Sequence, residues 1–246
     1  MVFGFGRTPK PAINPSQPLP PVLPPEAPGN GRLFLHKILE ESRGALDAPG
    51  FELLTTNLDQ KWTVHSKAVQ GSKLTLVRLE AEVPMPADSL FRLLTSMDGK
   101  RIIDPFPREH HAEPIKALRR PPGGGKAGIV YSEAPRFAGM LRPREYVTCD
   151  AEAPTEHFFV CKSCLVPEGS YAQAQKGHVR ANLLFAMRVK ERKGARDSSQ
   201  LQMVNWLDLG GNTVPEWIAN LVTERWYFQG AMRRLHTYIA QHKAST

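Results

Sequence analysis

The residues with the types and spacing for chemistry form a few short groups. Cys161-Lys162-Ser163-Cys164 has the spacing of half a metal or redox site, and no second pair completes it. The stretch around it reads as a strand, where residues three apart point to opposite faces, so the two sulfurs are badly placed to share an ion. Glu109-His110-His111 offers two ligand types, but adjacent side chains diverge and no third ligand is placed by spacing, so they read as surface histidines. Gly123-Gly124-Gly125-Lys126 runs into Ala127 where a phosphate loop needs Ser or Thr, and it lacks the earlier glycine, which leaves a turn. Neither Gly-x-Ser-x-Gly nor His-Glu-x-x-His occurs. Lys100 and Asp104, opposite charges at i and i+4, read from spacing alone as a solvated pair that a helix would bring to one side. No catalytic residue, metal or cofactor is expected.

The elements that must position these residues follow from periodicity. Leu33, Leu35, Ile38 and Leu39 have helical spacing. Residues 61–67 and 75–83 alternate like two strands joined at Gly71-Ser72. Asp88 and Ser89 open a helix through Leu90, Phe91, Leu93 and Leu94. Strands are predicted over 112–117, 128–133, 144–150, 157–165, 179–190 and 201–209, most joined by turns short enough for antiparallel neighbours. The last element, from Pro215 to about Ala240, has capping oxygens at Asn212 and Thr213 and Pro215 in its first turn. Its apolar stripe runs from Val214 to Ile239 with a gap near Arg225. Helices at the ends of an antiparallel sheet give an α+β class.

Composition limits the function classes. The chain has 246 residues, 41% apolar and 23% charged, which is globular rather than disordered. No apolar run approaches the ~20 residues of a membrane-spanning helix. The net charge of +8 suits an anionic partner. Nucleic acid is set aside, since no aromatic platform or recognition motif accompanies the charge. Three cysteines are too few for a disulfide framework and fit a reducing, cytoplasmic setting. The first 28 residues carry nine prolines and three charges, so residues 1–30 read as an extended, disordered tail ahead of a domain at 31–246. The tail's repeated Pro-x-x-Pro spacing fits an SH3- or WW-type partner, and organelle targeting by it stays open.

Several segments, in their order and spacing over residues 31–246, resemble the START family, the steroidogenic-acute-regulatory-protein-related lipid transfer domains. They are Val83-Pro84 with Leu90-Phe91, Ile129-Val130-Tyr131, Pro143-Arg144-Glu145-Tyr146-Val147, Lys176-Gly177-His178-Val179-Arg180, and Asp208-Leu209-Gly210-Gly211 with Pro215-Glu216-Trp217. The resemblance implies a helix-grip fold, a curved antiparallel sheet wrapped around a long C-terminal helix with an internal hydrophobic tunnel. It implies a monomer that binds, and often transfers, one phospholipid or sterol. Aligned with the family's phosphatidylcholine carrier, Lys100 takes the place of an arginine and Asp104 that of an aspartate that hold the head group. Tyr146 keeps one aromatic of the choline cage, while Ser132 and Leu184 replace the others. The sterol branch's acid and arginine fall on Ser132 and Asp150, so that pair is missing. Ser132, Tyr146, Asn182 and Leu184 are expected to line the tunnel, and Arg144 and Arg180 to make structural pairs.

The resemblance also implies a gate formed by the 134–143 loop and the C-terminal helix. The loop carries Phe137, Met140 and Leu141 between Arg136 and Arg142, apolar residues flanked by cations, as an anionic bilayer attracts. Residues 115–144 hold seven Lys or Arg and one acid, Glu133. On the helix side, Trp217, Ile218, Leu221 and Val222 complete the membrane contact. The function so expected is a non-enzymatic lipid carrier, cytoplasmic with peripheral membrane contact. The alternative is an enzyme of cyclase or hydrolase type on the same scaffold, with Asp104, Lys100 and Tyr146 as its only acid–base candidates.

Overall fold

A computed structural model describes residues 30–69, 72–103, 113–117, 125–134, 142–166, 172–210 and 215–243. Ten strands form one open sheet: β1 (Glu52–Asn57), β2 (Trp62–Ala68), β3 (Thr75–Val83), β4 (Glu113–Ala117), β5 (Ala127–Ala134), β6 (Arg144–Ala153), β7 (Phe158–Ser163), β8 (Val179–Arg180), β9 (Asn182–Arg192) and β10 (Ala195–Asp208). Their order is β1-β2-β3-β10-β9-β7-β6-β5-β4, antiparallel throughout, with β8 alone running parallel beside β6. The helices are α1 (Asn30–Asp47), α2 (Ala87–Thr95), α3 (Met97–Ile103), α4 (Glu216–Leu221) and α5 (Phe228–Lys243).

Strand alternation sorts the side chains into two apolar layers. On one face, Val77, Leu79, Ala81 and Val83 of β3, Met187 and Val189 of β9, and Leu201 and Met203 of β10 pack with Phe228, Met232, Leu235 and Ile239 of α5. Leu90, Phe91 and Leu94 of α2 join them. On the other face, Phe34, Leu35, Ile38 and Leu39 of α1 cover Ile129, Tyr131, Val147, Cys149, Val160, Ala186 and Val204. Ion pairs from Lys162 to Glu41, Arg188 to Asp47 and Arg43 to Glu156 stitch α1 to its face. The sheet therefore has a gripped face, under the C-terminal helix, and an α1 face.

Several expectations need correction. The strand β1 is unforeseen, because Glu52-Leu-Leu-Thr-Thr-Asn has no clean alternation: it is an edge strand exposed along most of its length. The stretch predicted as one strand over 179–190 divides at Ala181. There the Ala181 N–H turns away to the Glu145 carbonyl, 3.0 Å away, leaving β8 on β6 and β9 on β10. The C-terminal element is interrupted: Val222–Tyr227 is π-helical and lies between α4 and α5. The gap near Arg225 marks this segment, where the wider coil shifts the phase of the stripe. Pro215 is the N-cap residue, one position ahead of the first turn. Asn212, Thr213 and the proline-rich tail lie outside the described residues. Among the described residues, no helix is long and apolar enough to cross a membrane.

Candidate functional site

The inner face of β6 breaks the apolar pattern of the gripped layer. Its alternate residues Arg144, Tyr146, Thr148 and Asp150 are all polar, and the first three are buried. Register places Ser132 of β5 opposite Tyr146, Ser163 of β7 opposite Thr148 and Cys161 opposite Asp150. Tyr146 is buried yet belongs to neither apolar cluster. A polar stripe about 20 Å long, from six residue steps of ~3.3 Å, thus crosses an otherwise apolar face.

Lys100 reaches this stripe from α3. Ser96 starts that helix by accepting the Gly99 N–H on its hydroxyl at 3.1 Å, and its carbonyl takes the Lys100 N–H at 2.9 Å. Arg234 of α5 finishes the helix: its Nε and Nη2 donate to the carbonyls of Ile102 and Ile103 at 2.7 and 2.9 Å, where the helix dipole is negative. Held at both ends, α3 sends Lys100 Nζ to Asp150 Oδ2 at 3.1 Å. Thr148 Oγ1 donates to the other Asp150 oxygen at 2.9 Å, and the Lys100 ammonium lies 5.5 Å from the centre of the Phe159 ring. Burial pulls the Lys100 pKa down, but the charge of Asp150 and its hydrogen bond outweigh that and hold it above the ordinary lysine value. Yet 41% of the Lys100 side chain, against 14% of Asp150, stays in contact with solvent-sized space. Lys100 is thus half-buried and Asp150 largely buried.

The approach of α3 to α2 needs a residue without a side chain. A Cβ on Gly99 would lie 1.8 Å from the Leu93 carbonyl oxygen, a backbone atom that cannot swing aside. Gly99→Ala should therefore push α3 off α2, carry Lys100 away from Asp150 and cost about 1–3 kcal/mol or somewhat more. Chemical denaturation reads the loss, and an unchanged midpoint would show that the two helices have room to spare.

The expected site residues are placed as follows. Ser132 and Tyr146 stand side by side on the gripped face, and Lys100 joins them there. Leu184 does not: it pairs with Lys162 and Trp206 and packs in the α1 layer. Asn182, two residues away on the same strand, shares that face. The expected pointing of this strand was out of phase by one residue, and Leu183 and Phe185 are the side chains that pack against the gripped layer. Asp104, Arg136, Phe137, Met140 and Leu141 lie outside the described residues. Arg142 is exposed, Trp217 is 65% exposed, Ile218 and Leu221 are half-buried, and Val222 is buried. Arg180 makes the structural pair expected of it, with Glu145 at 2.8 Å, while Arg144 has no such partner among the described residues.

Sequence reading missed Asp150 and Thr148. The signal was present as polar residues at every second position from 144 to 150, but position 150 aligns with the arginine of the sterol branch, whose acid falls on Ser132 of the neighbouring strand, so Asp150 counted only as a missing arginine. Its cation comes from a helix. Cys161 packs on the gripped side and Cys164 in the α1 layer, on opposite faces as their spacing requires. Burial, with Asp150 adding to it, pushes the Cys161 thiol well above its ordinary pKa, and burial likewise raises Cys164 to about 12. These are packed thiols rather than nucleophiles. Gly125 is close-packed against the Glu152 carbonyl, and no cluster of metal-ligating side chains occurs among the described residues.

Comparison with known proteins bears on this arrangement. The family model described as START domain matches residues 42–244. Comparison with curated protein sequences finds no match. The crystal structure of human STARD10 superposes with a TM-score of 0.62 at 16% identity, covering 84% of this chain and 81% of that one. Human StAR-related lipid transfer protein 5 gives a TM-score of 0.58 at 12% identity over 85% and 95% of the two chains. The lipid transfer and protein localization domain of human StarD13 gives 0.53 at 18% identity over 82% and 93%. At these identities the likeness is one of fold.

Proposed function

The chain belongs to the START domain family, and from that premise we propose that it binds one lipid molecule between the C-terminal helix and the gripped face of the sheet, and carries it between membranes. The observation behind this reading is the buried polar stripe of β6, with Lys100 beside it, set in an apolar layer. Ligand pockets combine apolar walls with a few fixed polar groups in this way. Chain burial supplies affinity at ~25 cal/mol per Å2 before the costs of ordering, and the polar groups orient the ligand. Lys100, Ser132 and Tyr146 are the proposed lining, with Asp104 as a further candidate. The Lys100 and Asp150 charges are spent on each other, which suits a carrier better than an acid–base enzyme.

Loading requires a gate, for which we propose the 134–143 loop and the first half of the C-terminal helix. The second half is anchored by Phe228, Met232, Leu235 and Ile239, all deep in the core. The first half and the π segment are latched by polar contacts beside the buried Ala219 and Val222: Asn220 bridges the Thr75 N–H and the Lys73 carbonyl, and Glu224 accepts the Thr75 hydroxyl at 2.8 Å. The π segment separates the two halves, and such segments mark places where helices change course. Trp217, at the outer end and 65% exposed, is the anchor that enters an anionic headgroup layer, and Arg136, Phe137, Met140, Leu141 and Arg142 are the further residues proposed for that contact.

The test is transfer of a fluorescent phospholipid between vesicles, together with mass spectrometry of lipid that co-purifies with the protein. Transfer with one bound lipid per chain is the expected result; no transfer and no extractable lipid would end the proposal. Trp217→Asp should slow transfer from anionic vesicles about tenfold, the equivalent of losing one large apolar side chain from the interface. Thermal stability should be unchanged, because the ring is already in solvent. An unaltered rate would remove this residue from the docking surface.

A further inference from the structure

Resting on the lipid reading above, we propose that Arg144 anchors an anionic group of the ligand, a phosphate or carboxylate, at the end of the β6 stripe that adjoins the 135–141 segment. Arg144 is only 4% exposed. Its Nε donates to the Leu209 carbonyl at 3.0 Å and its Nη1 to the Arg142 carbonyl, but Nη2 is buried with no hydrogen-bond partner. Among the described residues no carboxylate pairs with it. Its sequence neighbour Glu145 points to the opposite face and is taken by Arg180.

The contrast with the other arginines is informative. Arg180, Arg188, Arg78 and Arg43 each meet a carboxylate, and Arg234 meets the negative end of α3. A buried guanidinium without a counter-charge is unfavourable, so its retention inside the fold points to an anion that arrives from outside. Burial holds its pKa below the ordinary arginine value; Tyr146 opposes this and Arg142 adds to it. A bound anion would reverse the balance.

The two ends of the stripe then differ in a useful way. At Asp150 the Lys100 ammonium is neutralised, so that end offers hydrogen bonds but no net charge. At Arg144 the positive charge meets no carboxylate among the described residues. An anionic lipid would seat its charged group at Arg144, with its uncharged part directed along β6 toward Lys100 and Asp150. A charge-assisted hydrogen bond of this kind separates a charged from an uncharged ligand by about tenfold or more.

Phosphatidic acid and diacylglycerol with the same labelled chains, each presented in phosphatidylcholine vesicles, test this. The wild-type protein should take up phosphatidic acid about tenfold more tightly than diacylglycerol. Arg144→Met should remove that preference, lowering phosphatidic acid uptake about tenfold more than diacylglycerol uptake, and Arg144→Lys should restore part of it. If Arg144→Met fails to fold, the wild type alone decides: phosphatidic acid should raise its Tm well above the value with diacylglycerol. Equal uptake and equal Tm shifts would overturn the anchor while the lipid reading stands. Uptake of neither probe would overturn both. Displacement of bound phosphatidic acid by millimolar inorganic phosphate would assign the anion to free phosphate and overturn a lipid-borne anchor.

Discussion

Phe228→Ala is expected to destabilise the protein by about 3–5 kcal/mol, the range for emptying a large aromatic site in a core that relaxes only partly. Phe228 is fully buried at the first turn of α5, directly after the π segment, and stands edge-on to Tyr227 at 5.2 Å. It belongs to the same buried cluster as Val77 and Leu79 of β3, Met187 of β9 and Met203 of β10, the layer that the helix covers. Urea denaturation should show a lower midpoint at a nearly unchanged slope. The same loss should loosen the helix over the lipid site and speed spontaneous release of a bound fluorescent lipid. A loss below about 1 kcal/mol would mean that the surrounding side chains close over the gap, contrary to the close packing of such interiors.

Glu145→Ala should be of similar size, about 3–5 kcal/mol, for an electrostatic reason. The Glu145 carboxylate is completely buried. It accepts from Arg180 Nε at 2.9 Å and Nη2 at 2.8 Å, from the Gln175 N–H at 3.0 Å and from the Tyr131 hydroxyl at 3.3 Å. Removing it strands a cation and a backbone donor together. Burial, with Glu133 and Glu145 adding to it, keeps the Tyr131 phenol protonated, so the ring acts as a donor between two acids. Glu145→Gln should lose less than Glu145→Ala, because it keeps one acceptor oxygen. In the double variant with Arg180→Met the two losses should fall short of additive, since removing both partners leaves less unpaired charge. Full additivity would show that the pair contributes nothing specific. Because β8 and the start of β6 meet at this carboxylate, the variant also tests what orients Arg144.

Much of the fold was readable because periodicity survives in the chain. The alternation in 75–83 and 144–150 and the helical stripe toward Ile239 reflect burial on one side, which any packed version of these elements must satisfy. The exceptions share a cause. β1 lacks alternation because neither of its faces is covered, and Asn182 and Leu184 were assigned to the wrong side because a strand's pattern gives the alternation without saying which face looks inward. The π segment surfaced as a gap in a stripe, with nothing local to say that the helix continued through it.

The candidate site divides along the same line. Type and spacing within one element were sufficient to put Arg144, Tyr146 and Thr148 on a single side of β6 and to set Cys161 and Cys164 on opposite faces, while the resemblance alone marked Lys100 as a ligand candidate. Spacing also carried the likeness to START domains. Which charges meet was decided only in three dimensions. Lys100 and Asp150 are 50 positions apart, and they pair because Gly99 lets α3 press against α2 and Arg234 holds its far end. Glu145 and Arg180 are 35 apart, brought together by a strand of two residues. Arg144 was expected to pair and meets no carboxylate among the described residues, because its neighbour's carboxylate faces the other way. Local sequence fixes direction along a strand or helix through short-range sterics. Partnership between charges depends on distances set by the packing of whole elements, and that information exists only once the chain has closed on itself.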